Sequence, residues 1–173
     1  MVTAPTLVAP RASYRDDFLE AVEEFGDEET LIYERELAQK DFHSYLRRVI
    51  AWERGRRLPH GWVPCTTRWL VDDGGYIGTV NVRHELTEWL LRIGGHVGYA
   101  IRPARRGEGH GTLICRLGLD VCREIGLGRV LITCDDDNEA SRRIIERNGG
   151  VLEDVVPQPD RDVAKRRYWV DLG

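Results

Sequence analysis

The stretch that decides the fold is IRPARRGEGHG, residues 101–111, which lies between a predicted strand and a predicted helix. Glycines at 107, 109 and 111 remove Cβ atoms where the chain must curl, so that successive backbone N–H groups can converge on an anion. The helix that follows directs the positive end of its dipole to the same point. Arg105 and Arg106 add charged, directional donors, which suit a diphosphate better than a single carboxylate. The stretch therefore predicts a phosphate-binding turn.

Other phosphate-binding motifs fit this turn poorly. The P-loop pattern GxxxxGK[ST] is absent, and G-x-G-x-G differs from the dinucleotide fingerprint G-x-G-x-x-G. Asp135 lies 24 residues after Gly111, close enough to imitate the ribose-binding acid of that fingerprint. A dinucleotide fold places its glycine turn after the first strand, however, whereas here three or four predicted strands come earlier. A dinucleotide-dependent oxidoreductase is therefore the weakest of the functional readings.

Hydrophobic periodicity and turn residues predict the elements on either side of the turn. Upstream, the prediction is strand 6–9, a helix capped by Ser13 and ending at Gly26, a helix from Asp41 to Gly55, a loop over 54–64, a hairpin of strands 66–71 and 76–84, an irregular or helical turn over 85–92, and strand 96–101. Downstream, it is helix 111–125, strand 129–134 in the middle of the sheet, helix 138–148, and strands 151–156 and 167–172. With no repeat and no linker, this order predicts one α+β domain over residues 1–173 with helices packed on a mixed sheet.

Composition limits the classes of function. The chain has 173 residues, 42% of them hydrophobic and 31% charged, which excludes a wholly disordered chain. Its 25 basic and 29 acidic residues give a net charge of −4, which argues against a nucleic-acid partner. No apolar run approaches the roughly 18 residues that cross a bilayer, and the N-terminus does not look like a signal peptide. We therefore expect no membrane association and a cytoplasmic location.

The cysteines indicate neither a metal site nor a disulfide framework. Cys65, Cys115, Cys122 and Cys134 are widely spaced, form no CxxC pair and have no regular histidine partners. Small buried hydrophobic side chains are the ordinary role for such residues. We therefore expect four reduced core cysteines and no metal.

The sequence resembles the GCN5-related N-acetyltransferase (GNAT) superfamily. Residues 106–111, RGEGHG, match the family pattern [QR]-x-x-G-x-[GA], and Asn138, Ser141, the pair 144–145 and Gly149 are similar to the family's last helix. The order of elements matches across nearly the whole chain, and residues 61–86 also resemble a bacterial subgroup of predicted acetyltransferases. The resemblance implies a mostly antiparallel sheet of about seven strands, splayed between strands four and five, with helices on both faces.

The same resemblance implies acetyl-CoA as the co-substrate. Its diphosphate would lie on the N–H groups of residues 106–112, its pantetheine arm would lie along residues 99–102, and Asn138 would bind the arm from the other side. An N–H within 99–101 would stabilise the developing oxyanion. The implied binding residues are Ile101, Arg102, Arg106, Gly107, Glu108, Gly109, His110, Gly111, Thr112, Asn138 and Ser141.

Transfer to an amine also needs proton movements. An alkyl amine with a pKa of about 10.4 must lose a proton before it attacks, and His96, His84 and Glu85 are candidate bases, each of which could equally be structural. Relatives carry in the last helix a tyrosine that protonates the departing thiolate, but the matching position here is Ile145. Tyr99, Ser141 or water could replace it.

The resulting interpretation is direct acetyl transfer, in a ternary complex, to a primary amine of a small molecule or a protein. The alternative is a non-catalytic acyl-CoA-binding sensor, which turnover of an amine would exclude. Trp62, Trp69, Trp89 and Tyr99 could line an acceptor pocket with Glu85, although large aromatics are more often core residues. A homodimer through the final strands is a further expectation.

Overall fold

A computed structural model describes residues 4–28 and 32–173. The strands are β1 (Thr6–Val8), β2 (Cys65–Asp72), β3 (Gly75–Arg83), β4 (Val97–Ile101), β5 (Arg129–Asp135), β6 (Val151–Gln158) and β7 (Arg161–Asp171). The α-helices are α1 (Arg15–Phe25), α2 (Arg35–Lys40), α3 (Phe42–Glu53), α4 (His110–Glu124) and α5 (Glu139–Arg147). Short 3₁₀ turns cover Ala12–Tyr14 and Pro103–Arg105, and a π-helical turn covers Leu90–Gly94.

In the described part of the chain, seven strands form one sheet in the order β1-β2-β3-β4-β5-β7-β6. Neighbouring strands are antiparallel except β4 and β5, which are parallel and share one ladder pair, Val97 with Ile132. Beyond that pair the two strands diverge. The predicted mixed sheet with its splay between strands four and five is confirmed.

Helices cover both faces of the sheet, as predicted. On one face, α4 and α5 pack over a core cluster that includes Val80, Ile114 and Ile132. On the other face, α1, α2 and α3 enclose an aromatic cluster in which Phe18 stacks on Trp69 with ring centroids 4.5 Å apart. All four cysteines are free and buried. Each face of the sheet therefore has its own packed core, covered by helices.

Some local predictions were wrong. Ser13 lies inside a 3₁₀ turn, and α1 begins at Arg15 without a side-chain cap. The six-residue α2 was not predicted because it is too short to show a helical period. Strand β7 begins at Arg161 rather than at 167. The added residues 161–166 are mostly charged and show no apolar alternation, but they pair with β6 across a short turn. By contrast, Asp41 caps α3 by accepting from the Ser44 N–H at 3.0 Å, where the sequence placed that helix start.

The outer strand β6 exposes apolar side chains at Val151, Leu152 and Val155. A homodimer through the final strands stays a prediction.

Among residues 4–28 and 32–173, every helix is too short or too polar to cross a bilayer. The same residues contain no group of three or more His, Cys, Asp or Glu side chains arranged to hold a metal ion.

Candidate active site

The divergence of β4 from β5 leaves backbone groups of β4 unpaired. Hydrogen bonds from Arg83 N–H to His96 O and from Arg102 N–H to Ile77 O fix which residues of the β4 segment face β3. Because the pattern alternates along an antiparallel pair, Tyr99 and Ile101 turn their N–H and C=O groups toward the gap. The gap thus presents the edge of a strand to any extended ligand that carries amides.

The phosphate-binding turn follows β4 directly. Gly107 and Gly109 have φ values of +80° and +84°, which L side chains rarely adopt. Gly111 is needed for a different reason, since a Cβ there would lie 2.5 Å from Cδ1 of Ile144 on α5. Within the described residues, the six N–H groups from Gly107 to Thr112 donate to no protein acceptor. The turn is therefore a concentration of free donors at the N-terminus of α4, which suits an anion.

Acidic side chains form ion pairs with the cationic side chains of the turn. Arg105 donates to Asp72 at 2.8 Å and to Glu108 at 3.2 Å, and His110 lies 2.9 Å from Glu108. The Arg105 guanidinium lowers the pKa of Asp72 and of Glu108. Arg106 pairs with Glu28 at 2.7 Å and donates to Ile101 O at 3.1 Å. The turn thus combines ion-paired side-chain charges with free backbone donors.

Arg102 has a different position from the other predicted binding residues. Its side chain is buried and forms ion pairs with Asp17, Glu20 and Glu24 on α1, which raise its pKa against the opposing effect of burial. The backbone N–H of Arg102 donates to Ile77 O. The guanidinium therefore fastens α1 to the end of β4 and does not line the cleft.

The centre of the gap contains a pair of hydroxyl groups. Tyr99 on β4 and Ser141 on α5 lie 2.9 Å apart, oxygen to oxygen. Asn138 caps α5 by accepting from the Ser141 N–H at 3.0 Å, which leaves the Asn138 amide NH₂ available. Cys134, next to them on β5, lines the cleft, but burial raises its pKa to about 11 and keeps the thiol protonated. Ile145 is fully buried in the core, whereas Ile144 lines the cleft.

The three candidate bases lie outside the lining of the cleft. His96 is buried, and its Nδ1 accepts from Leu131 N–H at 2.9 Å; burial, with a smaller effect of Arg83, lowers its pKa to about 4. His84 lies 2.8 Å from the Thr66 hydroxyl, and burial lowers its pKa. Glu85 is exposed. A role for any of the three as general base stays a prediction. In the structure, the His96 side chain links the β4 segment to β5 through its hydrogen bond with Leu131.

The cleft has a volume of about 740 Å³ and runs from the phosphate-binding turn along β4 to the β6–β7 turn. Its lining includes predicted residues of β4, of the turn and of α5: Tyr99, Ile101, Arg106, Gly107, His110, Gly111, Asn138 and Ser141. Glu108, Gly109 and Thr112 belong to the turn but not to the lining. Of the four aromatics considered, Trp89 and Tyr99 line the cleft, Trp69 is fully buried, and Trp62 packs on Tyr33 and Trp52.

Sequence reasoning missed several residues that line the cleft. They are Arg83, Asp135, Lys165 and residues 158–161. Arg83 ends a strand, and the others sit on β5, on β7 or at the β6–β7 turn, so that only the tertiary fold brings them together. Nothing in their local sequence pattern distinguishes them from ordinary strand ends and turn residues.

Comparison with known proteins agrees with this geometry. A family model described as an acetyltransferase (GNAT) domain matches residues 6–151. No curated protein matched the sequence. Among solved structures, RimL, a ribosomal L7/L12 alpha-N-protein acetyltransferase in complex with coenzyme A, is 15% identical with a TM-score of 0.72, covering 99% of this chain and 98% of that chain.

Two further solved structures show the same fold. An acetyltransferase from Salmonella typhimurium that modifies the N-terminal serine of ribosomal protein L7/L12 is 17% identical with a TM-score of 0.67, covering 99% of this chain and 96% of that chain. The microcin C7 self-immunity acetyltransferase MccE, in complex with acetyl-CoA and AMP, is 15% identical with a TM-score of 0.72, covering 97% and 92%. Since the family model spans most of the sequence, the chain belongs to the GNAT acetyltransferase family.

Proposed function

We propose that the protein transfers the acetyl group of acetyl-CoA directly to a primary amine in a ternary complex. The observation that carries this proposal is the alignment of two sets of free backbone groups. The unpaired N–H and C=O of Tyr99 and the unpaired N–H of Ile101, whose C=O accepts from Arg106, lead straight into the six free N–H groups of residues 107–112. A chain with amides at one end and a diphosphate at the other matches both sets.

The residues present fit coenzyme A. The N–H groups of the turn and the α4 dipole would hold the diphosphate. The groups of Tyr99 and Ile101 that face the gap would pair with the amides of the pantetheine arm, and the free amide of Asn138 would reach it from α5. RimL and MccE were solved with coenzyme A and acetyl-CoA, respectively. When bound, acetyl-CoA supplies an activated thioester.

The chain would then act on charge and protons at the reacting centre. A β4 N–H that faces the gap donates to the oxyanion that develops as the amine attacks. Tyr99 and Ser141 form a hydroxyl pair in the cleft beside β4, and we assign them the proton of the leaving thiolate, because neither Ile144 in the cleft nor Ile145 in the core can supply one. No side chain is assigned as the base: the amine attacks in its neutral form, and the proton that its nitrogen loses on becoming an amide passes to water. The neutral fraction of the amine therefore sets the rate, and activity rises with pH up to the pKa of the amine, about 10.4.

Two measurements test this function. Calorimetric titration with acetyl-CoA and with NAD should show saturable binding of acetyl-CoA only. Release of free thiol from acetyl-CoA, followed across a panel of small amines and N-terminal peptides, should show amine-dependent turnover. Binding without turnover of any amine would favour the acyl-CoA sensor, and absence of binding would overturn both readings.

A further inference from the structure

Arg83 is a buried cation at the acceptor end of the cleft. It is the last residue of β3 and faces His96, directly before β4, whereas the phosphate-binding turn follows the last residue of β4. Arg83 lines the cleft and is only 7% exposed. One terminal nitrogen donates to Gly94 O at 2.9 Å and to Gly95 O at 3.0 Å, and the other donates to the Tyr33 hydroxyl.

These partners leave the charge of Arg83 without a counterion. No carboxylate of the described residues lies within 4.0 Å of its guanidinium, whereas the other Lys and Arg side chains that line the cleft each have one: Arg105, Arg106, Arg161 and Lys165. A buried charge that is not paired is costly, and proteins usually compensate it. The missing charge can be supplied by a ligand that enters the cleft.

The guanidinium also has donors to spare. Of its five N–H groups, three are used by the two carbonyl oxygens and the tyrosine hydroxyl. The remaining two have no acceptor in the part of the chain that the structure describes. Charge-assisted hydrogen bonds from arginine to a carboxylate are short and strong, and two donors on one guanidinium can hold both oxygens.

An exposed aromatic ring adjoins this cation. Trp89 lines the cleft with 60% of its surface exposed. A Cβ on Gly94 would lie 2.6 Å from the Trp89 ring, so the ring rests against the same glycine whose carbonyl holds Arg83. The acceptor end therefore offers an apolar surface next to an uncompensated positive charge.

We propose that Arg83 binds a carboxylate of the acetyl acceptor, so that the acceptor is a primary amine that also carries a negative charge. The inference rests on the proposed acetyl transfer and deepens it by naming the class of acceptor. It disfavours polyamines and other purely cationic amines, which would place a second positive charge near Arg83. Phosphate presents similar anionic oxygens, and the experiment separates the two anions.

The test uses matched amines of equal shape. 4-(Aminomethyl)benzoate, its neutral carboxamide and its phosphonate analogue keep the reacting amine far from the group that changes. With the full-length protein and saturating acetyl-CoA, kcat/KM for the benzoate should exceed that for the carboxamide at least tenfold. Equal rates for the two, or a preference for a diamine of similar length, would overturn the proposal. A preference for the phosphonate over the benzoate would keep the contact with Arg83 and assign it to phosphate.

Variants of Arg83 locate the effect. Arg83→Gln should abolish the preference for the benzoate over the carboxamide, while the protein still binds acetyl-CoA. Arg83→Lys, which keeps the charge, should retain part of the preference. Tyr33→Phe removes a partner of Arg83 but not the cation, so the preference should persist. If Arg83→Gln does not fold, loss of the preference in Tyr33→Phe or its full loss in Arg83→Lys would count against the proposal.

A binding measurement separates this inference from the proposed function. Calorimetry of 4-(aminomethyl)benzoate against the protein saturated with coenzyme A needs no turnover. Binding that is lost in Arg83→Gln supports the anion site even if no amine is acetylated. Binding of equal strength in both proteins overturns it even if acetyl transfer is confirmed.

Discussion

The two ends of the cleft offer a ligand different parts of the chain. At the turn end, the available groups are backbone N–H donors that glycines allow to converge. At the proposed acceptor end, the lining groups are side chains such as Arg83 and Trp89. The first end can serve a co-substrate shared by a whole family, while the second can change one side chain at a time.

The largest expected effect is that of Gly109→Ala, which disturbs only the backbone donors of the phosphate-binding turn. Gly109→Ala places a Cβ on a residue with φ of +84°, and the αL strain of about 1–2 kcal/mol pulls the turn away from that conformation. Loss of one or two charge-assisted hydrogen bonds would weaken acetyl-CoA binding by about 2–3 kcal/mol, a factor of roughly 30 to 150. Calorimetric titration with acetyl-CoA measures this change.

Gly126→Ala is the matched control for that variant. Gly126 has a similar φ of +88°, and a Cβ there, as at Gly109, would meet no atom within 4 Å. It lies beyond the other end of α4. Both variants should lose similar thermal stability, but only Gly109→Ala should lose affinity for acetyl-CoA. An equal loss of affinity in both would show that the turn is not the binding site.

The next effect concerns His96, which joins β4 to β5 where the gap begins. Its pKa of about 4 in the folded chain lies below the value of about 6.5 expected when unfolded. As pH falls below 6.5, the unfolded chain takes up the proton first, so stability that is present above pH 6.5 is lost toward pH 4. Between pH 7 and 5 this contribution amounts to about 2 kcal/mol.

Urea unfolding of the wild-type protein and of His96→Gln across that range measures the contribution. The variant should lack this part of the pH dependence, while the acidic limb of its kcat profile should match that of the wild type. The opposite result, an unchanged stability profile with an altered acidic limb, would restore His96 to the role of general base.

A smaller effect, about tenfold in kcat, is expected at the centre of the gap. Tyr99→Phe removes the hydroxyl that lies 2.9 Å from Ser141. A thiol with a pKa of about 8.5 is a tolerable leaving group even without an acid, so the reaction should slow without stopping. Ser141→Ala should have a similar effect, and the double variant should be little worse, because the two hydroxyls act as a unit. Steady-state thiol release gives kcat in each case.

Tyr76→Phe provides the control on the opposite face of the sheet. Tyr76 is likewise buried, and its hydroxyl lies 2.7 Å from that of Thr79. It should cost stability of about 1 kcal/mol but leave kcat unchanged. If Tyr76→Phe slows turnover as much as Tyr99→Phe, the effect belongs to packing and not to proton transfer.

The contrast between the two ends also explains what the sequence could predict. The turn and the order of the elements along the chain were predicted because glycine spacing and hydrophobic periodicity are local signals, whereas the splay was implied by the resemblance to the GNAT family. Arg83 and Lys165 gave no signal because each looks like an ordinary strand residue until the sheet brings them into one cleft. The sequence offers His96 as a candidate base, but it cannot show that the ring nitrogen of His96 accepts from Leu131 on the neighbouring strand.

The smallest expected effect tests whether a side chain also contributes at the phosphate-binding turn, where the free donors are backbone N–H groups. Glu28 pairs with Arg106 at 2.7 Å, and both side chains are nearly half exposed. A ligand phosphate must compete with this carboxylate for Arg106, so Glu28→Gln should tighten acetyl-CoA binding. An exposed pair contributes about 0.2–1 kcal/mol, which corresponds to a Kd lower by a factor of about 1.4 to 5 at low salt and to a smaller change at high salt.

Asp16→Asn removes a carboxylate from an exposed pair of the same length, with Arg15 at the start of α1. It changes the net charge of the protein by the same amount, but Asp16 lies outside the cleft. Calorimetric titration with acetyl-CoA at two salt concentrations should therefore show tighter binding for Glu28→Gln only. Equal tightening in both variants would assign the effect to the overall charge, and the backbone donors would then bind the diphosphate without help from Arg106.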